Sequence, residues 1–209
     1  MKPMPTIYVV DDDPRALKAV RQILESAQFE VRAYDSARRF LAHYDPARPG
    51  CIVCDFAMPQ VDGFGLQRTL RRRGARSPLI FLSGQGTVPR SVRAIKEGAQ
   101  DFLTKPAEPA ALLQAVRAAV RQDAALREAE ARFSDLTQRE RSVIQGVAGG
   151  KLNKQIAGDL GVTERTIKFH RSNLMRKLAL TTPAGLVRLA LQAGLGPANL
   201  PGPAESARL

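Results

Sequence analysis

The chain has 209 residues, 44% of them hydrophobic and 25% charged, which is enough apolar material for two ordinary globular cores. Basic residues outnumber acidic ones by 32 to 20, and the net charge of +12 points to a polyanionic partner such as nucleic acid. No stretch approaches the roughly eighteen uninterrupted apolar residues of a membrane span, and the start MKPMPT lacks the apolar core of a signal peptide, so no membrane association and a cytoplasmic location are expected.

From the N-terminus, short β-branched runs alternate with stretches of helical periodicity. IYVV is followed by PRALKAVRQILESA, FEVRAY by SARRFLAHY, CIVCD by FGLQRTLRRRG, PLIFLSG by VPRSVRAIKEG, and DFLTKP by PAALLQAVRAAV. Five such β/α units with short connections predict a parallel sheet covered by helices on both faces, with a ligand site beyond the carboxyl ends of the strands. The only cysteines, Cys51 and Cys54, fall inside the third strand. A zinc site would need two more ligands nearby, so they are read as a buried, reduced pair. Arg71, Arg72 and Arg73 precede Gly74 at a predicted helix end, where they complement the helix dipole better than they suit DNA.

From Ala110 to Gln145 there is neither glycine nor proline, and the composition is rich in alanine, arginine, glutamate and leucine. A long helix joining two domains is expected, with 123–135 as the helical linker between residues 1–122 and 136–195. Its apolar positions Leu126, Ala129, Phe133 and Leu136 recur every three or four residues, so one face is expected to pack, within the protein rather than on a partner helix. After Leu136 the pattern is helical throughout: TQRERSVIQGVAGG, NKQIAGDLG, TERTIKFHRSNLMRKL and TPAGLVRLALQAG predict four short helices in a small all-α bundle. The tail 196–209, with three prolines and two glycines, is expected to be disordered.

The segment TIYVVDDDPRAL places three carboxylates where a buried strand stops. Two carboxylates about 4 Å apart repel by roughly 1 kcal/mol in water and more in a cleft, so such a cluster calls for a cation. Oxygen ligands of this kind suit Mg²⁺. Asp13 reads instead as the N-cap of the helix that Pro14 opens. CIVCD brings Asp55 to the end of a neighbouring strand, PLIFLSG brings Ser83 to the end of the next, and DFLTKP brings Lys105 to the end of the fifth. Acid, acid, hydroxyl and amine converging at four strand ends make a phosphoryl-transfer site.

With VVDDD, VCDFAMPQVDG, FLSG and FLTKP in order, residues 1–122 resemble the receiver domain of two-component response regulators. That resemblance implies a flavodoxin-like sheet of order 2-1-3-4-5, the order that general accounts of the fold give for a member of this family. It further implies that Asp55 accepts a phosphoryl group from a sensor-kinase histidine. Mg²⁺ would be bound by Asp12, Asp55 and the backbone carbonyl of Ala57, with Asp11 acting through water. Lys105 would pair with a phosphoryl oxygen, Ser83 would donate its hydroxyl and move toward the phosphate, and Phe102 would be the switch aromatic that follows it inward. The Lys105–Pro106 bond is expected to be cis. Ala57 and Gln85, two positions beyond Asp55 and Ser83, offer no carboxylate or base, so the acyl phosphate is expected not to be unusually short-lived.

Charge alone does not say which half meets nucleic acid. The first 122 residues are basic by 19 to 12 and the remainder by 13 to 8, although 151–178 holds seven basic residues against two acidic. The pattern decides. In NKQIAGDLG, Ile156, Ala157 and Leu160 share a face, Gly161 suits the helix end and Thr163 can cap the next helix, which reads as helix-turn-helix. In that second helix Ile167, Leu174 and Leu178 face inward, and the helix is expected in the DNA major groove.

Residues 136–195 resemble the LuxR/NarL-type helix-turn-helix through LTQRE, NKQIA, TIKFHRSNLMRKL and TTPAGLVRLA, and together with the receiver they suggest the FixJ-like subfamily. By position, Lys168, Phe169 and Ser172 are candidates for base contact. Lys154, Thr163, Thr166, Arg171 and Lys177 are candidates for phosphate contact, with Arg165 also on the DNA-facing surface. His170 is read as a packing residue ahead of a phosphate donor. The leucines of the last helix either fill the bundle core or pair two subunits. The expectation is a transcription factor that binds promoter DNA, phosphorylated on Asp55 by a sensor histidine kinase with Mg²⁺, dimerising in response, and not a dedicated enzyme. The alternatives are a Mg²⁺-dependent phosphohydrolase and a receiver with an RNA-binding antiterminator output.

Overall fold

The computed structural model describes residues 4–84, 88–193 and 195. The chain divides into two compact units, Met1–Ala124 and Ala125–Leu209. The expectations for Gln85 and for the tail 196–209 lie outside the described residues.

The first unit is built on strands β1 (Thr6–Val10), β2 (Glu30–Tyr34), β3 (Gly50–Asp55), β4 (Leu79–Ser83) and β5 (Asp101–Thr104), interleaved with helices α1 (Pro14–Ser26), α2 (Ala37–His43), α3 (Gly63–Arg72) and α4 (Val88–Lys96) and followed by α5 (Pro109–Arg132). All strand pairs are parallel, in the order β2-β1-β3-β4-β5. The three central strands are buried throughout because they carry apolar residues on both faces. Alternation divides those faces cleanly. Tyr8, Val10, Ile52, Cys54 and Phe81 join a core with Phe40, Phe64 and Leu66, whereas Ile7, Val9, Cys51, Val53, Ile80 and Leu82 join one with Val20, Leu24, Leu112 and Val116.

The local signals for the helix starts hold. Asp13 is the N-cap of α1, accepting from the Arg15 N–H with Pro14 at the start of the helix. The register pairs Val10 with Cys54, Asp55 with Leu82 and Ser83 with Thr104, so the ends of β1, β3, β4 and β5 lie side by side. Both cysteines are buried and unbonded to each other, and burial pushes the Cys51 and Cys54 thiols well up.

The second unit holds α6 (Gln138–Ala148), α7 (Asn153–Leu160), α8 (Glu164–Lys177) and α9 (Pro183–Gln192) around a single core. Here the expected linker needs correcting, because 123–135 is not a separate segment. Asp123 is 1% exposed within the first unit, while Ala129 and Phe133, 3% and 2% exposed, sit in the core of the second. The apolar spacing that ran through the predicted linker is the stripe by which the end of α5 enters that core. The leucines of α9 also divide, with Leu186 and Leu189 in the core and Leu191 exposed.

Candidate functional site

Four strand ends supply the site in the first unit. Asp11, the residue after β1, is buried, and its Oδ1 accepts a hydrogen bond from the Asp13 N–H at 3.0 Å. Asp55 closes β3, is also buried, and its Oδ2 accepts from the Ala57 N–H at 3.1 Å. Lys105 directly follows β5, its own bond to Pro106 is cis, and its N–H donates to the Ser83 carbonyl at 2.8 Å. Its ammonium lies between the two acids, with Nζ 2.6 Å from Asp11 Oδ2 and 2.7 Å from Asp55 Oδ1. Burial pushes the Asp11 carboxyl up, since desolvation outweighs the help from Lys105. For Lys105 burial pulls downward, but the hydrogen bonds and charges of the two carboxylates hold the ammonium above its ordinary range.

Asp12 is exposed beside this pair, and Asp11, Asp12 and Asp55 each place one carboxylate oxygen within 4.8 Å of the others. Three hard oxygen donors, two of them buried, fit a hard divalent cation. Ser83 is buried at the end of β4. Phe102 is half-buried, its ring 5.6 Å from that of Phe56 and 6.3 Å from that of Phe81. Asp11, Asp12, Asp55 and Lys105, predicted from separate strand ends, therefore lie together, while Ser83 neighbours Lys105 through its backbone carbonyl and Phe102 packs on aromatic rings.

In the second unit α7 ends at Gly161, whose φ of 62° is the left-handed conformation that lets the chain turn at once. Thr163 then caps α8, accepting from the Thr166 N–H. Ile167, Leu174 and Leu178 are buried as predicted. Lys154, Arg165, Lys168, Phe169 and Ser172 are exposed, Phe169 to 63%. His170 is half-buried beside the Phe169 ring, at 6.1 Å. Two residues expected on the DNA backbone have cationic groups engaged inside the unit. The Arg171 guanidinium donates to Asn153 Oδ1 at 2.7 Å, and Lys177 Nζ lies 2.8 Å from Glu140 Oε1.

Glu140 and Asp123, both buried, stand outside the residues expected from sequence, although each leaves a signal there. Thr137-x-x-Glu140 is a capping box, and the Glu140 side chain accepts from the Thr137 N–H at 2.9 Å. Asp123 continues the buried phase of Leu112, Val116 and Ala119 on α5.

Residues 7–117 match the family described as the response regulator receiver domain, and residues 134–190 match the bacterial regulatory proteins of the luxR family. The transcriptional regulatory protein FixJ of Azorhizobium caulinodans is 40% identical over 200 residues, covering 92% of this chain and 95% of that protein. The response regulator protein TodT of Pseudomonas putida is 38% identical over 190 residues, 88% of this chain and 84% of its own. Among solved structures, the response regulator StyR aligns with a TM-score of 0.58 at 42% identity, covering 90% of this chain and 99% of that one. Full-length FixJ from B. japonicum aligns with a TM-score of 0.55 at 36% identity, covering 93% and 99%.

Proposed function

The chain belongs to the FixJ-like two-component response regulators, transcription factors that join a receiver to a luxR-type helix-turn-helix, and on that premise we propose that Asp55 is its phosphoacceptor and α8 its DNA-recognition helix. The observation that carries this reading is the position of the Lys105 ammonium between two buried carboxylates from different strand ends. In the transfer step a carboxylate oxygen of Asp55 attacks phosphorus as the bond to the kinase histidine nitrogen breaks, leaving an acyl phosphate. Lys105 exchanges its Asp55 contact for a phosphoryl oxygen, and Ser83 donates its hydroxyl to another. Phe102, already against Phe56 and Phe81, follows Ser83 as the switch aromatic.

Mg²⁺ suits the oxygen set of Asp11, Asp12, Asp55 and the Ala57 carbonyl, and when bound it would neutralise charge on the phosphoryl oxygens. Hydrolysis is confined to loss of the protein's own phosphoryl group, and the acyl phosphate is not unusually short-lived: a half-life of seconds in the purified protein would contradict this reading. The division of labour is a receiver in 1–122 and a DNA-binding domain in 136–195, with Lys168, Phe169 and Ser172 toward the bases and Lys154, Arg165 and the Thr163–Thr166 turn toward phosphates.

Phosphorylation drives dimerisation, for which the exposed Val92 and Ile95 of α4 and Leu191 of α9 supply apolar surface. No helix among the described residues is long and apolar enough to cross a membrane, and a site of action in the cytoplasm follows from the pairing of a kinase with DNA. The test is intact mass after incubation with acetyl phosphate and Mg²⁺, followed by oligomeric state, for the wild type and Asp55→Asn. One added phosphoryl group, absent from the variant and accompanied by dimer, is the expected result. Equal labelling of both proteins would remove Asp55 from the role.

A further inference from the structure

Helix α8 is held at its C-terminal end by two charged contacts from other helices. The last carbonyls of a helix have no partner within it and gather negative partial charge. Leu178 is the C-cap of α8, and its carbonyl accepts a hydrogen bond from the guanidinium of Arg132, in the last turn of α5. One residue earlier, the Lys177 ammonium meets both oxygens of Glu140, at 2.8 and 3.0 Å. Glu140 is 5% exposed, and its Oε2 also accepts from the N–H and the hydroxyl of Thr137 at the start of α6. A carboxylate so enclosed is costly without its cation. The base-facing candidates Lys168 and Phe169 stand toward the opposite end of α8 and are exposed. Lys168 is ten residues before Leu178, a lever of ~15 Å, so a tilt of about 4° at the held end displaces Lys168 by ~1 Å. That is enough to spoil a hydrogen bond to a base.

We infer that Arg132 and Glu140 are positioning residues for DNA recognition, which set the tilt of α8 through Leu178 and Lys177, and that Lys177 serves this clamp and not the DNA backbone. The inference rests on the reading of α8 as the recognition helix. It differs from that reading in assigning sequence preference to two residues that touch no DNA.

The test uses the full chain treated with acetyl phosphate and Mg²⁺. The wild type first selects a preferred duplex from a library with randomised central base pairs. That duplex and a shuffled duplex of equal length then serve as probes over a range of salt. Arg132→Met and Glu140→Gln are each expected to weaken the selected duplex at least tenfold and the shuffled one less than twofold, with the salt slope unchanged. Lys177→Met should behave in the same way, and Arg132→Lys should recover most of the loss.

Weakening of both duplexes together with a salt slope smaller by about one would make the altered residue a phosphate contact and overturn the inference. Unchanged affinity for the selected duplex would overturn it as well. A wild type that selects no duplex would overturn the recognition-helix reading itself. Amide exchange guards against misfolding: protection at Val143 and Ile144 should persist in the variants, while the Leu178 amide exchanges at least tenfold faster. An Arg132→Met variant that loses protection at both places is replaced by Arg132→Lys, whose small loss on the selected duplex, still greater than its loss on the shuffled one, is required by the inference.

Discussion

The carboxylate of Asp123 on α5 accepts a hydrogen bond from the backbone N–H of Gly50 at 2.8 Å, joining positions 73 apart in a fully enclosed place. Gly50 opens β3 with a φ of +142°, and a Cβ there would lie 1.9 Å from the Thr6 carbonyl oxygen. The close approach of β1 and β3 therefore requires glycine, and the Asp123 side chain answers an N–H that water cannot reach.

Replacing either partner should destabilise the receiver. Asp123→Ala leaves that amide unpaired and is expected to cost about 1–3 kcal/mol, while Gly50→Ala, which must move backbone, is expected to cost ~3 kcal/mol or more. The chain has no tryptophan, and its three tyrosines, Tyr8, Tyr34 and Tyr44, all belong to the first unit. Urea unfolding followed by tyrosine fluorescence thus reads that unit selectively. An Asp123→Ala midpoint equal to the wild type would show that the bond contributes nothing net.

The ammonium of Lys105 compensates two buried acids. Lys105→Met should lower receiver stability by about 3–5 kcal/mol without divalent cation, because the carboxylates of Asp11 and Asp55 then face each other uncompensated. Mg²⁺ should restore part of this, so its stabilising effect is expected to be larger in the variant than in the wild type. Thermal unfolding with and without millimolar Mg²⁺ measures the difference, and equal shifts in both proteins would refute the expectation.

The Glu140 site predicts an acid-sensitive second unit. Burial pushes the Glu140 carboxyl up, but Lys177 and the Thr137 donors outweigh it and hold the folded-state value below the ordinary 4.5. The sign follows from linkage: the unfolded chain binds the proton more readily, so the stabilisation is complete above about pH 4.5 and drains away as pH falls through the lowered folded-state value. Glu140→Gln should cost ~1–2 kcal/mol at neutral pH and flatten this dependence. Helical circular dichroism of urea melts between about pH 6 and 3 would register it; a variant as acid-sensitive as the wild type would point to another group.

On α8, Lys168→Ala is expected to cost about 1–3 kcal/mol on the preferred duplex and to relax preference at one base position. Phe169→Ala should do likewise at a position where an apolar ring meets a thymine methyl, so replacing that thymine by uracil should weaken the wild type and not the variant. Uniform weakening on every duplex would instead make Lys168 a phosphate contact.

Much of this molecule was legible in the chain because the signals are local. A strand that ends in aspartates, a proline behind Asp13, a glycine between two helices and a threonine opening the second each act within a few residues. Sheet burial follows from alternation, which is why the acids, the hydroxyl and the amine could be placed at strand ends before any contact was known. Sequence by itself thus determined the element order, the faces that are buried and the set of groups available to the site.

Tertiary structure alone decided which of those groups meet. Nothing local to Lys105 states that its ammonium lies between Asp11 and Asp55; that follows from the register of β1, β3, β4 and β5. The same holds for Asp123 on Gly50, Arg132 on the Leu178 carbonyl and Lys177 on Glu140. Read in isolation, each is a charged residue on a helix, and water would satisfy it as well as any partner. Packing removes the water, and a charge that has lost its hydration must find its counterpart elsewhere in the chain.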